Sequence, residues 1–422
     1  EYLVQNGYMD GAEAVSLVQD AQRKVYEALL RNVISGYRQV SFGDLTPAFD
    51  YDPEQSQNNW NLLIRKSGHE DFLSRREELW KGGKEDKKGL MRRLAAIRGL
   101  GLKPAEGQYL PEHLSFLTPT QASIAAKLDL MIAKNGRFFA FGQDIPDANP
   151  FSGLEEVLED DSRGMGGIDR QTIRLQVLAH IMDPELGKFR VMDFTGINEE
   201  GIYQTLAATA HAYGDSAIAM GEMQFLDYNK PSFGLSQIST VFQRSGGRYR
   251  LPVIITMSSG MLRPKTFESI RTAQKKSGKA NMFHSSFNVG SLMNEYPGLN
   301  IIAPNCAEAV VMAYRNAAAS RNPTVVLMTY PVMHDSQAGS FNYNDPYPAL
   351  DSPLRPLGTS YLYPLKEDGK PLPIAVHNHV ILTYGEGTLL AFMAAEEAKE
   401  HDIYTVVVDY NTLVPRDSIL IK

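Results

Sequence analysis

From residue 118 onward, short apolar segments alternate with longer segments that carry a helical pattern. In the longer segments apolar residues recur every three or four positions, as they do from Ile202 to Tyr213. Strands that are apolar on both faces are typical of parallel sheets, because helices cover both faces of such sheets. The sequence therefore predicts an α/β fold with a doubly wound parallel sheet, in which ligands bind at the carboxyl ends of the strands. The apolar segments are residues 138–141, 253–257, 301–303, 324–328, 380–383 and 406–408.

The first 117 residues differ from this pattern, because they are polar and show little strand signal. Asp10 and Glu13 resemble a capping box, and the amphipathic pattern that follows them predicts a helix. Residues 37–80 show no periodicity, which indicates a linker. We therefore expect residues 1–117 to form a helical extension and linker outside the sheet. We also expect deletion of residues 40–100 to leave the sheet domain folded.

The remainder of the chain divides by composition. Residues 118–331 hold most of the apolar segments and are predicted to form the sheet domain. Residues 332–378 are rich in Pro, Asp and Tyr, which indicates a connector. A second strand–helix–strand unit begins near His379. Because one such unit cannot bury both faces of a sheet, we expect residues 379–422 to be the start of a further, incomplete α/β domain.

Charge and cysteine content argue against several classes of protein. The chain has 42 Lys and Arg against 49 Asp and Glu, and a net charge of −7 disfavours a dedicated nucleic-acid-binding protein, which needs a basic surface. No apolar run approaches the roughly 18 residues of a membrane span. Cys306 is the only cysteine, so the sequence has no internal disulfide and no cysteine-based metal site. A reducing compartment, the cytoplasm or the mitochondrial matrix, is expected.

Three segments become informative when they are considered together. They are the loop-to-helix segment 197–202, the strand-to-helix corner 221–228 and the histidine-containing segment 283–286. Two adjacent acids, Glu199 and Glu200, begin the helix of the first segment, and acids in this position usually serve only the helix dipole. Each segment alone therefore has an ordinary structural explanation, and none has the spacing of a metal site.

In sequence order, the three segments resemble the beta subunit of the thiamine-diphosphate-dependent decarboxylating component of 2-oxo acid dehydrogenase complexes, a member of the transketolase-like superfamily. The resemblance covers residues 118–330, as a pyrimidine-binding domain, and residues 379–417, as the start of a C-terminal domain. Residues 1–33 are similar to the last helices of the alpha subunit, which indicates a fused alpha–beta chain. Five segments of this chain resemble family motifs. Residues 141–145 resemble a strand that ends in Gly-Glu-Asp-Val, residues 197–201 resemble Ile-Ser-Glu-x-Gly, and residues 222–228 resemble Glu-x-Gln-Phe-x-Asp-Tyr. Residues 284–285 resemble the start of His-Ser-Gln, and residues 297–304 resemble Pro-Gly-Leu-x-Val-Val-x-Pro.

This resemblance implies a role for four residues. Glu199 takes the position of the glutamate that shares a proton with a ring nitrogen of the aminopyrimidine, and burial is the expected means of raising its pKa. Tyr228 would stack on the pyrimidine face, and Gln224 belongs to the same cofactor-binding segment. His284 would face the substrate or the lipoyl group. The implied reaction is oxidative decarboxylation of a 2-oxo acid, followed by acyl transfer to a lipoyl-bearing acyltransferase.

Several positions depart from the family pattern. Glu295 stands near the place of a second family histidine, Thr256 replaces an arginine, Ser286 replaces a glutamine, and Ser320 replaces an acid of a cation-binding loop. The Gly-Asp-Gly…Asn motif that holds the diphosphate and Mg²⁺ is absent. We therefore expect both ligands to be held by an alpha-type subunit or an upstream alpha part, in a dimer or heterotetramer whose site lies between subunits.

Two alternatives stay open at this point. The first is a transketolase-fold scaffold or regulatory subunit that has lost catalysis, which Glu295, Thr256 and the long N-terminal segment favour. Retention of Glu199, Tyr228 and His284 argues against it. The second is another transketolase-like enzyme that transfers ketol groups, although the Gln-Phe-x-Asp-Tyr and Pro-Gly-Leu patterns fit the dehydrogenase better.

Overall fold

A computed structural model of the protein describes a little more than half of the chain, and the predicted N-terminal helix lies outside the described part. The described residues are 51–65, 69–81, 110–113, 118–134, 137–146, 171–172, 174–183, 185–194, 198–225, 233–244, 251–259, 289, 292, 296, 298–320, 322–329, 347–367 and 370–415.

Within these residues helices and strands alternate, and strands occupy all six of the predicted apolar segments. The helices are α1 Pro53–Arg65, α2 His69–Lys81, α3 Pro119–Ala133, α4 Leu175–Met182, α5 Glu199–Tyr213, α6 Phe233–Arg244, α7 Ala307–Ser320 and α8 Glu386–Lys399. The strands are β1 Phe138–Gly142, β2 Val191–Asp193, β3 Ile218–Phe225, β4 Val253–Ser259, β5 Asn300–Ile302, β6 Thr324–Thr329, β7 Tyr361–Tyr363, β8 Lys366–Glu367, β9 Lys370–Pro371, β10 His379–Thr383, β11 Thr405–Asp409 and β12 Thr412–Val414.

The main sheet has seven strands in the order β12-β5-β6-β4-β3-β1-β2. Every pair from β5 to β2 is parallel, and β12 joins the edge antiparallel to β5. The register places Gly142, Glu222, Thr256 and Val326 side by side in one row across four strands. The predicted α/β fold with a mainly parallel sheet is therefore confirmed.

Side chains of the central strands alternate between two cores. Along β3, β4 and β6, even-numbered residues such as Met220, Ile254 and Val326 pack in the core that contains α1, α3 and α7. Odd-numbered residues such as Ile255 and Leu327 pack in the core that contains α5 and α6. This alternation explains the doubly apolar strands, because neither face of the sheet meets solvent.

The start of α3 follows from its sequence. Thr118 Oγ1 accepts a hydrogen bond from the Gln121 backbone N–H (3.2 Å), and Gln121 Oε1 accepts one from the Thr118 backbone N–H (2.9 Å). Pro119, the first helical residue, needs no hydrogen-bond partner for its nitrogen. The capping box and the proline together set the beginning of a helix that is buried almost throughout its length.

Two helices lie in the segment that was interpreted as a linker, so this interpretation of residues 37–80 is wrong for their second half. Trp60 and Ile64 of α1 and Phe72 of α2 are buried in the same core as α7. Trp60 Nε1 also donates a hydrogen bond to the Leu350 carbonyl oxygen (2.9 Å). The helical pattern was missed because few apolar residues mark the buried side, while the rest of α1 is rich in Asn and Gln.

A buried ion pair attaches α2 to the sheet domain. Arg76 donates to both carboxylate oxygens of Asp129 in α3 (2.8 and 3.0 Å) and forms a 2.8 Å ion pair with Glu112. The Tyr347 hydroxyl donates a further hydrogen bond to Asp129 (2.8 Å). Deletion of residues 40–100 would leave Asp129 without its arginine and would empty part of the core. These contacts lead us to expect that such a deletion destabilises the sheet domain, in contrast to the prediction from the sequence.

A second sheet contains three strands in the order β10-β11-β7. β10 and β11 are parallel, whereas β7 is antiparallel to β11 and pairs Tyr361 with Asp409. β7 comes from the predicted connector, so part of that segment belongs to the second sheet. α8 covers one face of this sheet, and the other face exposes Leu362, Val380 and Leu382. No helix in the described ranges has both the length and the apolar character to cross a bilayer.

Candidate active site at the carboxyl edge of the main sheet

Helix α5 begins beside the carboxyl ends of β1, β2 and β3. The chain leaves β2 at Asp193 and enters α5 at Glu199, which is the first residue of the helix and is half-buried. This edge is where ligands of open parallel sheets bind. Glu199 therefore lies at the edge of the sheet where a ligand is expected.

Packing against β3 holds α5 in place. Ile202, Tyr203 and Leu206 of α5 are buried between the helix and the sheet. A Cβ atom on Gly221 of β3 would lie 2.6 Å from Leu206 Cδ1, so the Leu206 side chain would have to move to admit a side chain at this position. The glycine thus leaves space for Leu206 to pack directly on β3.

The two acids of the first turn have different surroundings. Gln204 Nε2 donates a hydrogen bond to Glu200 Oε1 (3.1 Å). The same oxygen would lie 3.0 Å from a Cβ atom on Gly234, the second residue of α6. The Glu200 carboxylate therefore lies at the N-terminal end of α6, where a negative charge is stabilised. Glu199 points about 100° away around the helix axis.

Tyr203 lies one helical turn after Glu199 and has no solvent exposure. Burial raises the pKa of Tyr203 well above its usual value, and the nearby Tyr296, Glu199 and Glu200 raise this pKa further. The phenol therefore stays protonated at neutral pH, so it acts as a hydrogen-bonding and apolar surface rather than as a base. Tyr296 therefore lies close to the first turn of α5.

Two aspartates, Asp144 and Asp193, lie at the same edge of the sheet. The sequence pattern did not indicate Asp193. Asp144 has a positive φ of 57°, and its backbone N–H donates a hydrogen bond to Asp193 Oδ1 (2.9 Å). This bond joins the loop after β1 to the end of β2. The position of Asp193 at the end of a strand was the available signal, but β2 has only three residues and shows no clear pattern.

The other predicted site residues are described only in part. Gln224 belongs to β3, two residues beyond Glu222 and near the carboxyl end of the strand. Tyr228 and His284 lie outside the described residues, as do Ser286 and Glu295. Their roles stay predictions.

Thr256, which replaces the family arginine, is buried on the opposite face of the sheet from α5. Its Oγ1 is hydrogen-bonded to the Tyr314 hydroxyl (3.0 Å), which also accepts a hydrogen bond from Ser123 (3.2 Å). Lys127 is fully buried beside them and donates to the Gln171 carbonyl oxygen (2.9 Å). This polar group links β4 to α3 and α7, and it does not extend to the first turn of α5.

Within the part of the chain that the structure describes, no three His, Cys, Asp or Glu side chains come together as metal ligands. His377 Nε2 accepts a hydrogen bond from the Leu365 backbone N–H (3.1 Å), so this ring is used in a local contact. Ser320 is buried, and its Oγ accepts hydrogen bonds from Asn300 Nδ2 and from the Asn322 backbone N–H (both 3.4 Å). Ser320, which the resemblance aligns with a cation-binding acid, is thus part of a hydrogen-bonded turn.

No protein-family model matches the sequence, and no curated protein matches it. Among solved structures, a transketolase from Leishmania mexicana is 16% identical over 76% of this chain, with a TM-score of 0.40. A split-gene transketolase described as an inactive beta4 tetramer is 16% identical over 71% of this chain and 73% of its own, with a TM-score of 0.38. A mutant transketolase from Pichia stipitis is 14% identical over 84% of this chain and 43% of its own, with a TM-score of 0.35. The chain spans 38% of the length of the Leishmania protein.

Proposed function

We propose that this chain supplies the aminopyrimidine side of a thiamine diphosphate site in the decarboxylating component of a 2-oxo acid dehydrogenase. The position of Glu199 carries this proposal. It is a half-buried acid at the start of a helix, at the carboxyl edge of a parallel sheet, beside the strand that contains Gln224. Residues 141–145 and 222–225, from two of the segments that resemble the family, lie at the carboxyl ends of β1 and β3 and support this proposal.

The described residues fit one half of the cofactor. An aminopyrimidine needs an acid at a ring nitrogen and an apolar surrounding, and Glu199 lies beside the buried core of Ile202 and Tyr203. The diphosphate and its Mg²⁺ need ligands that the sequence lacks, since it has no Gly-Asp-Gly…Asn motif. We assign those ligands to an alpha-type subunit or an upstream alpha part, so the complete site lies in a dimer or heterotetramer.

Thiamine diphosphate, when bound, supplies the nucleophilic carbon and the electron sink for decarboxylation. The contribution of this chain is orientation and proton transfer. Glu199 donates a hydrogen bond to a pyrimidine ring nitrogen and holds the proton that is exchanged at that atom. Tyr228 covers one face of the ring, and Gln224 contributes to the same cofactor surface. The proposed role of His284 is to face the substrate or the lipoyl group, as a proton donor or as a partner for a carboxylate.

Turnover of a panel of substrates tests the proposal. The assembled protein is incubated with 2-oxo acids and an artificial electron acceptor, with and without thiamine diphosphate and Mg²⁺. We expect release of CO₂ from at least one 2-oxo acid, and we expect this release to depend on the cofactor. Ketol transfer between sugar phosphates without CO₂ release would instead support the alternative transketolase-like activity.

A scaffold without catalysis is the second candidate function. The burial of Thr256 against Tyr314 favours it, because the side chain that replaces the family arginine is used in a structural contact. This candidate predicts normal assembly with partner chains but no turnover of any substrate in the same panel. Cofactor-dependent release of CO₂ would exclude it.

A further inference from the structure

We infer that Asn198 and Gly201 act together as positioning residues that direct Glu199 toward the cofactor; this inference rests on the proposed role of Glu199. Asn198 is the N-cap of α5 and has non-helical backbone angles, with φ −146° and ψ 61°. Its Oδ1 accepts a hydrogen bond from the Gly201 backbone N–H (2.9 Å). Glu199 is thus located between two residues that are joined to each other.

Gly201 leaves space for the side chain of Asn198. A Cβ atom at this position would lie 2.6 Å from Asn198 Nδ2, 2.9 Å from Cγ and 3.0 Å from Oδ1. Such distances are shorter than van der Waals contact, so a side chain at residue 201 must displace the capping amide. Gly201 lies within a regular helix, and its conformation is therefore available to any residue. The glycine leaves space for the Asn198 amide, which extends below residue 201.

Other contacts do not replace this cap. The Thr205 hydroxyl donates to the Gly201 carbonyl oxygen (2.8 Å), which stabilises the second turn but not the first residue. Glu200 interacts with Gln204 and lies against α6. The direction of Glu199 therefore depends on the cap, because the first helical residue has no earlier turn to hold it.

The resemblance suggests which variant should restore the geometry. The similar family segment has serine in place of Asn198, and serine also caps the third helical N–H, with a shorter side chain. Serine lacks the amide atoms that would lie 2.6 and 3.0 Å from a Cβ atom at residue 201, so we expect a serine cap to relieve this crowding. The two positions should consequently be coupled. Gly201→Ala should lower the rate of proton exchange at the cofactor when residue 198 is asparagine, and it should leave this rate unchanged when residue 198 is serine.

A cycle of variants in the assembled protein tests this coupling. Proton exchange at the thiazolium carbon of bound thiamine diphosphate should fall about 10- to 100-fold in Gly201→Ala, because a misplacement of about 1 Å has effects of this size. Asn198→Ala removes the cap directly and should give a similar loss. The double variant Asn198→Ser/Gly201→Ala should return to the wild-type rate, and Asn198→Ser alone should stay near it.

Two further readouts separate positioning from stability. Alanine has a higher helix propensity than glycine, so a purely structural role predicts a higher melting temperature and unchanged proton exchange in Gly201→Ala. In the protein without cofactor, amide hydrogen exchange of the first turn of α5 should quicken in Gly201→Ala and slow again in the double variant. A wild-type rate of thiazolium exchange in Gly201→Ala, or a loss that serine does not restore, would overturn the inference. Failure of the proposed function can be distinguished from failure of this inference. If the proposed function is wrong, Glu199→Gln leaves the rate of thiazolium exchange unchanged.

Discussion

Asp409 is a carboxylic acid in the interior, at the end of β11 and opposite Tyr361 of β7. Burial raises its pKa to about 8, and the Thr388 hydroxyl and Arg355 oppose this shift only in part. Neither carboxylate oxygen has a hydrogen bond of good geometry, and the Thr388 hydroxyl also lacks one. The folded protein therefore keeps a proton on Asp409 through most of the neutral range.

This acid should make the stability of the protein depend on pH. The unfolded chain loses the proton above about pH 4, whereas the folded protein holds it up to about pH 8. The free energy of unfolding should thus fall as the pH rises through this window, by up to about 1.4 kcal/mol per pH unit. Urea unfolding at pH 6 and pH 8 measures this slope.

The matched variant is Asp409→Asn, which keeps the shape and cannot ionise. Its free energy of unfolding should change less between pH 6 and pH 8 than that of the wild type. It should also exceed the wild-type value at pH 8, because the unfolded variant has no aspartate whose ionisation opposes folding. An equal slope in both proteins would show that another group controls the pH dependence.

At the scale of elements, the strands were predictable and two helices were not. The central strands are apolar on both sides, so their pattern is visible without knowledge of their partners. Trp60, Ile64 and Phe72 become part of the core only because α7 and α3 offer a surface for them. β7 is likewise too short, at three residues, to show a period of its own. The sequence lacks this information because it depends on tertiary contacts.

The candidate site was predictable to a similar degree. The resemblance and the helix start together locate Glu199 at the edge of the sheet. The contact of Glu200 with α6 and the crowding between Asn198 and Gly201 depend on side-chain conformations, which a sequence pattern does not contain. Asp193 was missed because a strand of three residues gives no periodic signal.

The buried ion pair between α2 and α3 predicts a large effect of one isosteric change. Asp129→Asn leaves the Arg76 guanidinium buried, with Glu112 as its remaining acidic partner. Breaking a buried pair in this way costs about 3–5 kcal/mol of unfolding free energy. Glu78→Gln, an exposed change on α2, is the control and should cost less than about 1 kcal/mol. Similar values for both variants in chemical denaturation would mean that α2 contributes little to the domain.

At the scale of the whole molecule, the proposed site is complete only in an assembly. The chain has the residues that we propose for the aminopyrimidine side and lacks the diphosphate motif. We therefore expect this chain alone to bind thiamine diphosphate weakly, and we expect the complex with its alpha-type partner to bind it tightly in a Mg²⁺-dependent manner. Titration calorimetry combined with light scattering measures both affinity and mass. Tight binding by a monomer of this chain would contradict the division of the site between chains.

The central claim is that Glu199 shares a proton with the cofactor and that Glu200 does not. The test measures proton exchange at the thiazolium carbon of thiamine diphosphate in the assembled complex, for Glu199→Gln and Glu200→Gln. Glu199→Gln should bind the cofactor and lower the exchange rate by about 10²- to 10⁴-fold, which is the usual contribution of a general acid–base group. Glu200→Gln alters the hydrogen bond with Gln204 and the contact with α6, and it should leave the rate nearly unchanged, with a stability loss of at most about 1 kcal/mol. Equal and small losses in both variants would contradict the assignment of Glu199 and would favour the scaffold over the enzyme.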